Sequence, residues 1–141
     1  MRIYQAGPLF TAAEICWHKE FSRRLAAAGH AVLWPGDFFT QREIDAWGDD
    51  APRKIMEKDS AAVDGCDVVV ALLDGAQVDD GTAWEIGYAY ARGKPVVGIR
   101  TDFRNGGDTA HGSVNAMIEG SCRGIARDVD GVLKLLETLS A

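Results

Sequence analysis

No stretch of the 141 residues reaches the roughly 18 consecutive apolar residues of a membrane span, so a helical membrane partner is not expected. The N-terminus also lacks the basic-then-apolar layout of a secretory signal, and the expected compartment is the cytoplasm. Cysteine is scarce. Cys16, Cys66 and Cys122 are odd in number and far apart, matching neither a disulfide framework nor a zinc site. They read as buried small residues. His18, His30 and His111 show no metal-ligand spacing, so neither a metal nor another cofactor is expected. Both standard nucleotide loops, Gly-x-Gly-x-x-Gly and Gly-x-x-x-x-Gly-Lys-Ser/Thr, are missing. So is the Gly-x-Ser-x-Gly nucleophile elbow. Basic residues are outnumbered, 15 against 21 acidic, for a formal net charge of −6. That argues against a broad nucleic-acid-binding face.

What remains is an ordinary globular composition, 47% hydrophobic and 26% charged, long enough for a substantial core. Residues 1–141 read as one domain. Apolar runs suited to strands occur at 2–6, 31–34, 67–73, 96–100 and 124–126. Between them lie helical patterns at 12–28, 51–63, 82–92, 113–119 and 129–139. In the first helix Ile15, Phe21 and Leu25 point toward the core, and Gly29 stops it. Residues 37–50 carry Phe38, Phe39 and Trp47 without clean periodicity and read as a loop over a cleft, with room for a short helix. Residues 102–112 are polar and glycine-rich, the pattern of a mobile loop. This β-α alternation predicts an α/β three-layer sandwich with a five-stranded parallel sheet. Right-handed crossovers on both faces leave the flavodoxin-like order 2-1-3-4-5 as the expected one.

The chain is organised around residues 79–99. Asp80 and Thr82 are capping-type residues, the helix follows, and Gly93 sits where it stops. Glu85 is expected near the first turn, where the helix dipole favours an ionised carboxylate. Ligands in such sheets bind beyond the carboxyl ends of the strands, which puts Asp79 and Glu85 beside a cleft. Asp59, Asp74, Asp79, Asp80 and Glu85 all fall at strand ends or on helices. A carboxyl pair a few ångströms apart is what glycosyl-bond chemistry uses, one as nucleophile and one as proton donor. Spacing alone does not prove that use, since acidic residues in α/β loops are more often caps or solvated groups.

Four segments carry a resemblance. They are Ile3-Tyr4-Gln5-Ala6-Gly7-Pro8-Leu9-Phe10, Asp59 ahead of Asp67-Val68-Val69-Val70, Asp79-Asp80-Gly81-Thr82-Ala83-Trp84-Glu85-Ile86-Gly87-Tyr88-Ala89, and Asn115-Ala116-Met117-Ile118. The chain resembles the nucleoside 2-deoxyribosyltransferase family, which includes relatives that hydrolyse deoxynucleoside monophosphates. The third segment is the most specific. The resemblance implies that Glu85 is the nucleophile at C1′ of the deoxyribose. It implies that Asp59 protonates the departing base and that the Tyr4 hydroxyl orients Glu85. Asp79 matches the residue that holds the sugar hydroxyls, with Asp80 as its alternative. Gly7, Phe10 and Gly81 fall in the matching substrate-binding segments. Asn115 and Met117 match a pair that completes a neighbouring subunit's site, so a homo-oligomer built from dimers is implied. The implied partners are deoxyribonucleosides and free nucleobases.

Two departures stand out. Longer transferases of the family end in a tyrosine that reaches the site, and no tyrosine follows Tyr90 here. Where some members place a base-reading glutamine, this chain has Phe39, with Gln41 two residues on. Stacking on Phe10, Phe38 or Trp47 is a possible substitute. Three readings follow: deoxyribosyl transfer, hydrolysis of deoxynucleoside 5′-monophosphates, and a non-catalytic nucleotide-binding module.

Overall fold

Val68–Leu72 is buried along its whole length, and it forms the middle of the sheet. In the computed structural model of the chain, which describes residues 1–140, five parallel strands lie in the order β2-β1-β3-β4-β5. They are β1 (Arg2–Ala6), β2 (Ala31–Leu33), β3 (Val68–Leu72), β4 (Val96–Ile99) and β5 (Gly124–Ala126). Six helices connect or flank them: α1 (Ala12–Ala27), α2 (Gln41–Trp47), α3 (Ala51–Asp64), α4 (Asp80–Ala91), α5 (Ala116–Ser121) and α6 (Val129–Ser140). The expected strand order is the observed one. Ala141 lies outside the described residues.

Successive side chains of a strand point to opposite faces, and here each face has its own core. Ile3, Val68, Val70, Val97 and Ile99 pack with Phe21 and Leu25 of α1 and with Val132 and Leu136 of α6. Tyr4, Val69, Ala71 and Val96 pack on the other face with Val63 of α3 and with Ile86 and Ala89 of α4. Because both faces are covered, the strands read as continuous apolar runs rather than alternating ones. This arrangement carries Tyr4 to the α3–α4 side and its neighbour Gln5 to the α1 side.

Several local expectations are corrected. The helix after β3 begins at Asp80, two residues early, because Asp79 rather than Asp80 or Thr82 is its cap. Asp79 Oδ2 accepts from the Thr82 backbone N–H and from Thr82 Oγ1, both at 2.9 Å. Glu85 is therefore the sixth residue of α4, beyond the first turn, where the dipole's influence has fallen away. In α1, Phe21 and Leu25 are buried as expected. Ile15 is only half-buried, and His18 takes a fully buried position. Of the cysteines only Cys66 is buried; Cys16 is exposed and Cys122 half-buried. Segment 37–50 forms α2 flanked by short 3₁₀ turns. Thr40 and Glu43 close a capping box at its start. The last short helix runs Ala116–Ser121, shifted from the expected 113–119 because Asn115 caps it. No helix among the described residues is long and apolar enough to cross a membrane.

Candidate active site

Tyr4 and Glu85 are 81 positions apart in sequence, yet the Tyr4 hydroxyl donates to Glu85 Oε1 at 2.6 Å. Strand β1 places the tyrosine in the core facing α4, fully buried. In α4, Thr82, Ile86 and Ala89 are the buried stripe. Glu85 precedes Ile86, so its carboxylate emerges at the edge of that stripe, over β1. In α3, Ile55, Asp59 and Ala62 are all half-buried at helical spacing, with Val63 fully buried beyond them. Asp59 thus turns inward. Its Oδ1 is buried with no hydrogen-bond partner among the described residues.

The electrostatics are unusual for carboxylates. Burial pushes the Glu85 pKa up to about 7. The Tyr4 hydrogen bond pulls it back down, while the charges of Asp59 and Asp79 push it up again. Burial alone pushes Asp59 up to about 6. Tyr4 is raised well above the ordinary phenol range, by burial first and by the charges of Glu85 and Asp59 next, so it stays a donor. The expectation of a dipole-stabilised, freely ionised Glu85 is therefore overturned. Desolvation outweighs the dipole, because water is excluded and no cation compensates. Among the described residues no ion pair reaches Glu85, Asp59 or Asp79.

Asp79 contributes at the start of α4. Its Oδ2 is used in capping, and Oδ1 takes neither of those bonds. Gly81 leaves room beside it: a Cβ there would lie 3.3 Å from Asp79 Oδ2. Asp80 instead accepts from the Gly81 N–H at 2.9 Å. Gly7 and Phe10 lie on the loop between β1 and α1, with Phe10 78% exposed. The aromatic segment packs toward α3. Phe39 meets Trp47 edge-on at 4.8 Å, Lys58 Nζ sits 5.6 Å over Phe38, and Lys54 Nζ sits 5.2 Å over Trp47. Gln41 is turned along its own helix, donating to Asp45 at 2.7 Å.

Asn115 and Met117 are not drawn into the Tyr4–Glu85–Asp59 group by any hydrogen bond. Asn115 accepts from the Met117 N–H at 3.0 Å and donates to Asp108 at 2.9 Å. Met117 is 80% exposed, so it is not core of its own chain. Both border a cavity of about 850 Å³ between α4 and α5, together with Ile86 and Tyr90. Buried Arg100 closes the cavity floor by donating to the carbonyls of Gly75 and Arg104, at 3.2 and 3.0 Å. Among the described residues no group of three or more His, Cys, Asp or Glu is placed to hold a metal.

The model of the nucleoside 2-deoxyribosyltransferase family matches residues 3–117. The chain belongs to that family. It is 36% identical over 107 residues to an uncharacterized protein of Schizosaccharomyces pombe, covering 72% of this chain. The chain spans about half (51%) of the length of that curated relative. A conserved protein from Enterococcus faecalis has a similar structure, with TM-score 0.80, 28% identity and coverage of 99% and 97% of the two chains. A 2-deoxyribosyltransferase from Bacillus psychrosaccharolyticus shares the fold at TM-score 0.79 and 23% identity, with 99% and 96% covered. A CMP N-glycosidase from Clostridium botulinum shares it at TM-score 0.62 and 22% identity, with 97% and 99% covered. One scaffold therefore carries both transfer and hydrolysis, and fold likeness alone does not choose between them.

Sequence reasoning named Tyr4, Asp59, Asp79 and Glu85 and expected the Tyr4 hydroxyl at Glu85, where it is found, but missed that Asp79 is the cap of α4. Asp79-x-x-Thr82 is the N-cap spacing that would have identified the cap. The buried Gln5–His18 pair was missed as well. Its only signal is a glutamine inside an apolar strand.

Proposed function

We propose that this chain cleaves the N-glycosidic bond of a 2′-deoxyribonucleoside and passes the deoxyribosyl group to a second base through an ester on Glu85. The observation that carries the reading is the buried, cation-free Tyr4–Glu85–Asp59 group, closed by the 2.6 Å hydrogen bond. Ionised Glu85, held by Tyr4 on Oε1, attacks C1′. The C1′–N bond breaks, its electron pair goes to the base, and the base takes the proton of Asp59. The incoming base then attacks C1′, Asp59 takes that base's proton back, and Glu85 is released with net retention.

The pKa values near 6 and 7 support one shared proton rather than two fixed states. The productive arrangement has the proton on Asp59 and the charge on Glu85. With the values about one unit apart in the other direction, that arrangement costs roughly 1.4 kcal/mol. The Tyr4 hydrogen bond favours it by stabilising the Glu85 carboxylate. Asp79 Oδ1 accepts from a sugar hydroxyl. The Asp79 carboxylate beside the sugar disfavours a 5′-phosphate dianion, so free nucleosides are the substrates. Asn115 and the exposed Met117 side chain complete the site of a second copy in a homodimer.

The deciding experiment is incubation with deoxyinosine or thymidine, with and without a second free base, followed by product analysis. Transfer to the added base is the expected result, with the 5′-monophosphates poor substrates. Preference for monophosphates, with no transfer, would replace this reading by N-glycoside hydrolysis. No base release from either class would leave a binding module. In a mixture of Asn115→Ala and Glu85→Ala subunits, partial recovery of activity is expected. Its absence after confirmed subunit exchange would show that each chain builds its own site.

A further inference from the structure

The side of β1 opposite Tyr4 holds a second buried polar cluster that the carboxylate chemistry does not use. Gln5 and His18 are both fully buried. Gln5 Nε2 lies 2.8 Å from His18 Nδ1 and donates to the His18 backbone carbonyl at 3.0 Å. Gln5 Oε1 accepts from Ser22 Oγ at 2.9 Å. A carbonyl only accepts, so the atom facing it is the amide nitrogen, and His18 Nδ1 is the acceptor. The ring proton then sits on Nε2. Trp34 stacks on the ring at 5.8 Å, and Trp17 meets it edge-on at 5.1 Å.

The protonated edge of the ring lies under the loop that leaves β1. A Cβ on Gly7 would fall 2.5 Å from His18 Cε1 and 2.6 Å from Nε2, so the backbone at Gly7 rests directly on the imidazole. The Pro8 backbone acts on the same ring, although Nε2 closes no hydrogen bond of regular geometry. One turn back along α1, Glu14 Oε2 accepts from the N–H groups of Phe10 and Thr11, at 3.0 and 2.8 Å. Glu14, His18 and Ser22 are spaced by four, on one face of the helix. That face clasps the chain from Gln5 to Thr11 at both ends of the Gly7–Phe10 loop.

We propose that His18, fixed by Gln5 and Ser22, is a positioning residue that sets the Gly7–Phe10 loop and through it the affinity for the substrate. The second half rests on the proposed role of Gly7 and Phe10 as substrate contacts. A flat ring is thin enough to lie beneath Gly7, and only an imidazole also accepts from Gln5 on its other edge. Burial holds this ring neutral down to about pH 4, with Glu14 as the charged group acting on it, so the support does not titrate near neutrality.

His18→Phe keeps the ring and removes the acceptor; Gln5→Leu removes the donor and keeps the imidazole. Hydrogen–deuterium exchange across residues 7–11 is expected to quicken roughly tenfold in either variant, with the sheet amides unchanged. KM for the deoxynucleoside should rise about fivefold or more while kcat stays within about twofold, the signature of lost uniform binding. A disturbed Tyr4–Glu85 pair would instead lower kcat and displace the pH profile. Unchanged exchange at 7–11, or exchange quickened evenly over the whole chain, overturns the proposal. So does a fall in kcat at constant KM. If His18→Phe does not fold, Gln5→Leu is the variant that decides. If the wild type uses no deoxynucleoside, the proposed function falls, and the exchange measurement alone decides the positioning of the loop.

Discussion

Two groups of carboxylates, one just past β3 and β4 and the other between α3, α4 and β1, have opposite fates. Asp74 and Asp102, at the ends of β3 and β4, are saturated with donors. Asp74 accepts from the N–H groups of Thr101 and Asp102, at 2.6 and 2.9 Å, and from the Thr101 hydroxyl. Asp102 accepts from the Gly75 N–H and is gripped by the Arg104 guanidinium. The Arg104 side chain first, and its backbone N–H next, hold the Asp102 pKa well below the usual carboxylate range. Asp59 and Glu85 have burial in place of donors, and one tyrosine between them. Their pKa values move the other way. The same residue types thus close a loop in one place and are left buried with few donors in the other. Partners, not residue type, decide which.

The largest expected effect tests whether the unsaturated group is the reactive one. Glu85→Ala should lower turnover by about 10³-fold or more, since it removes the atom that bonds C1′. Mass spectrometry of the wild type with substrate should show a deoxyribosyl adduct on Glu85. Near-normal turnover in Glu85→Ala would remove the distinction between the two groups. The Asp102→Asn variant, per folded molecule, should turn over as the wild type does.

Tyr4→Phe comes next, at roughly 10- to 100-fold in kcat/KM. Its hydrogen bond lowers the Glu85 pKa, so losing it should shrink the fraction with the proton on Asp59 and the charge on Glu85 and move the basic limb of the pH profile upward. In the wild type both limbs belong to the coupled pair, the acid limb breaking at about 6 and the basic limb at about 7. With pKa values of about 7 and about 6, the optimum falls between pH 6 and 7. A rate that climbs steadily to pH 9 would contradict the shared proton.

The smallest effects are on stability, and their signs separate the two groups. Glu85 binds its proton more tightly folded than unfolded. Its contribution is fully present below about pH 4.5 and is lost as pH rises to about 7. At pH 8 the buried charge costs about 3 kcal/mol by that shift, so Glu85→Gln should raise Tm by several degrees there. The gain should vanish near pH 4. Asp102 has a depressed pKa, so its contribution is present above the ordinary carboxylate pKa and lost as pH falls below it. Asp102→Asn should therefore lower Tm at pH 8 and matter less in acid. Parallel shifts in the two variants, followed by calorimetry across pH, would show that the contrast is not electrostatic.

The fold was legible because it depends on short-range patterns. Val68–Leu72 and Val96–Ile99 are apolar runs bounded by turn residues, and the helices between them repeat on the right period. Handedness then leaves few orders for five parallel strands. Of the candidate site, the identities of Tyr4, Asp59, Asp79 and Glu85 were legible through the family motif. The way Asp79 caps α4 lay in the spacing to Thr82 and was read one residue late.

The sequence by itself determined which elements form and their order in the sheet. Periodicity, caps and crossover handedness are all encoded within tens of residues. Only the tertiary structure decided which acids lose their water. The Glu85 shift arises from burial between α3, α4 and β1 and from a hydroxyl 81 positions away, and the partnerless Asp59 oxygen arises from how α3 packs. Desolvation is set by everything that surrounds a group at once, and no local stretch of sequence contains that information.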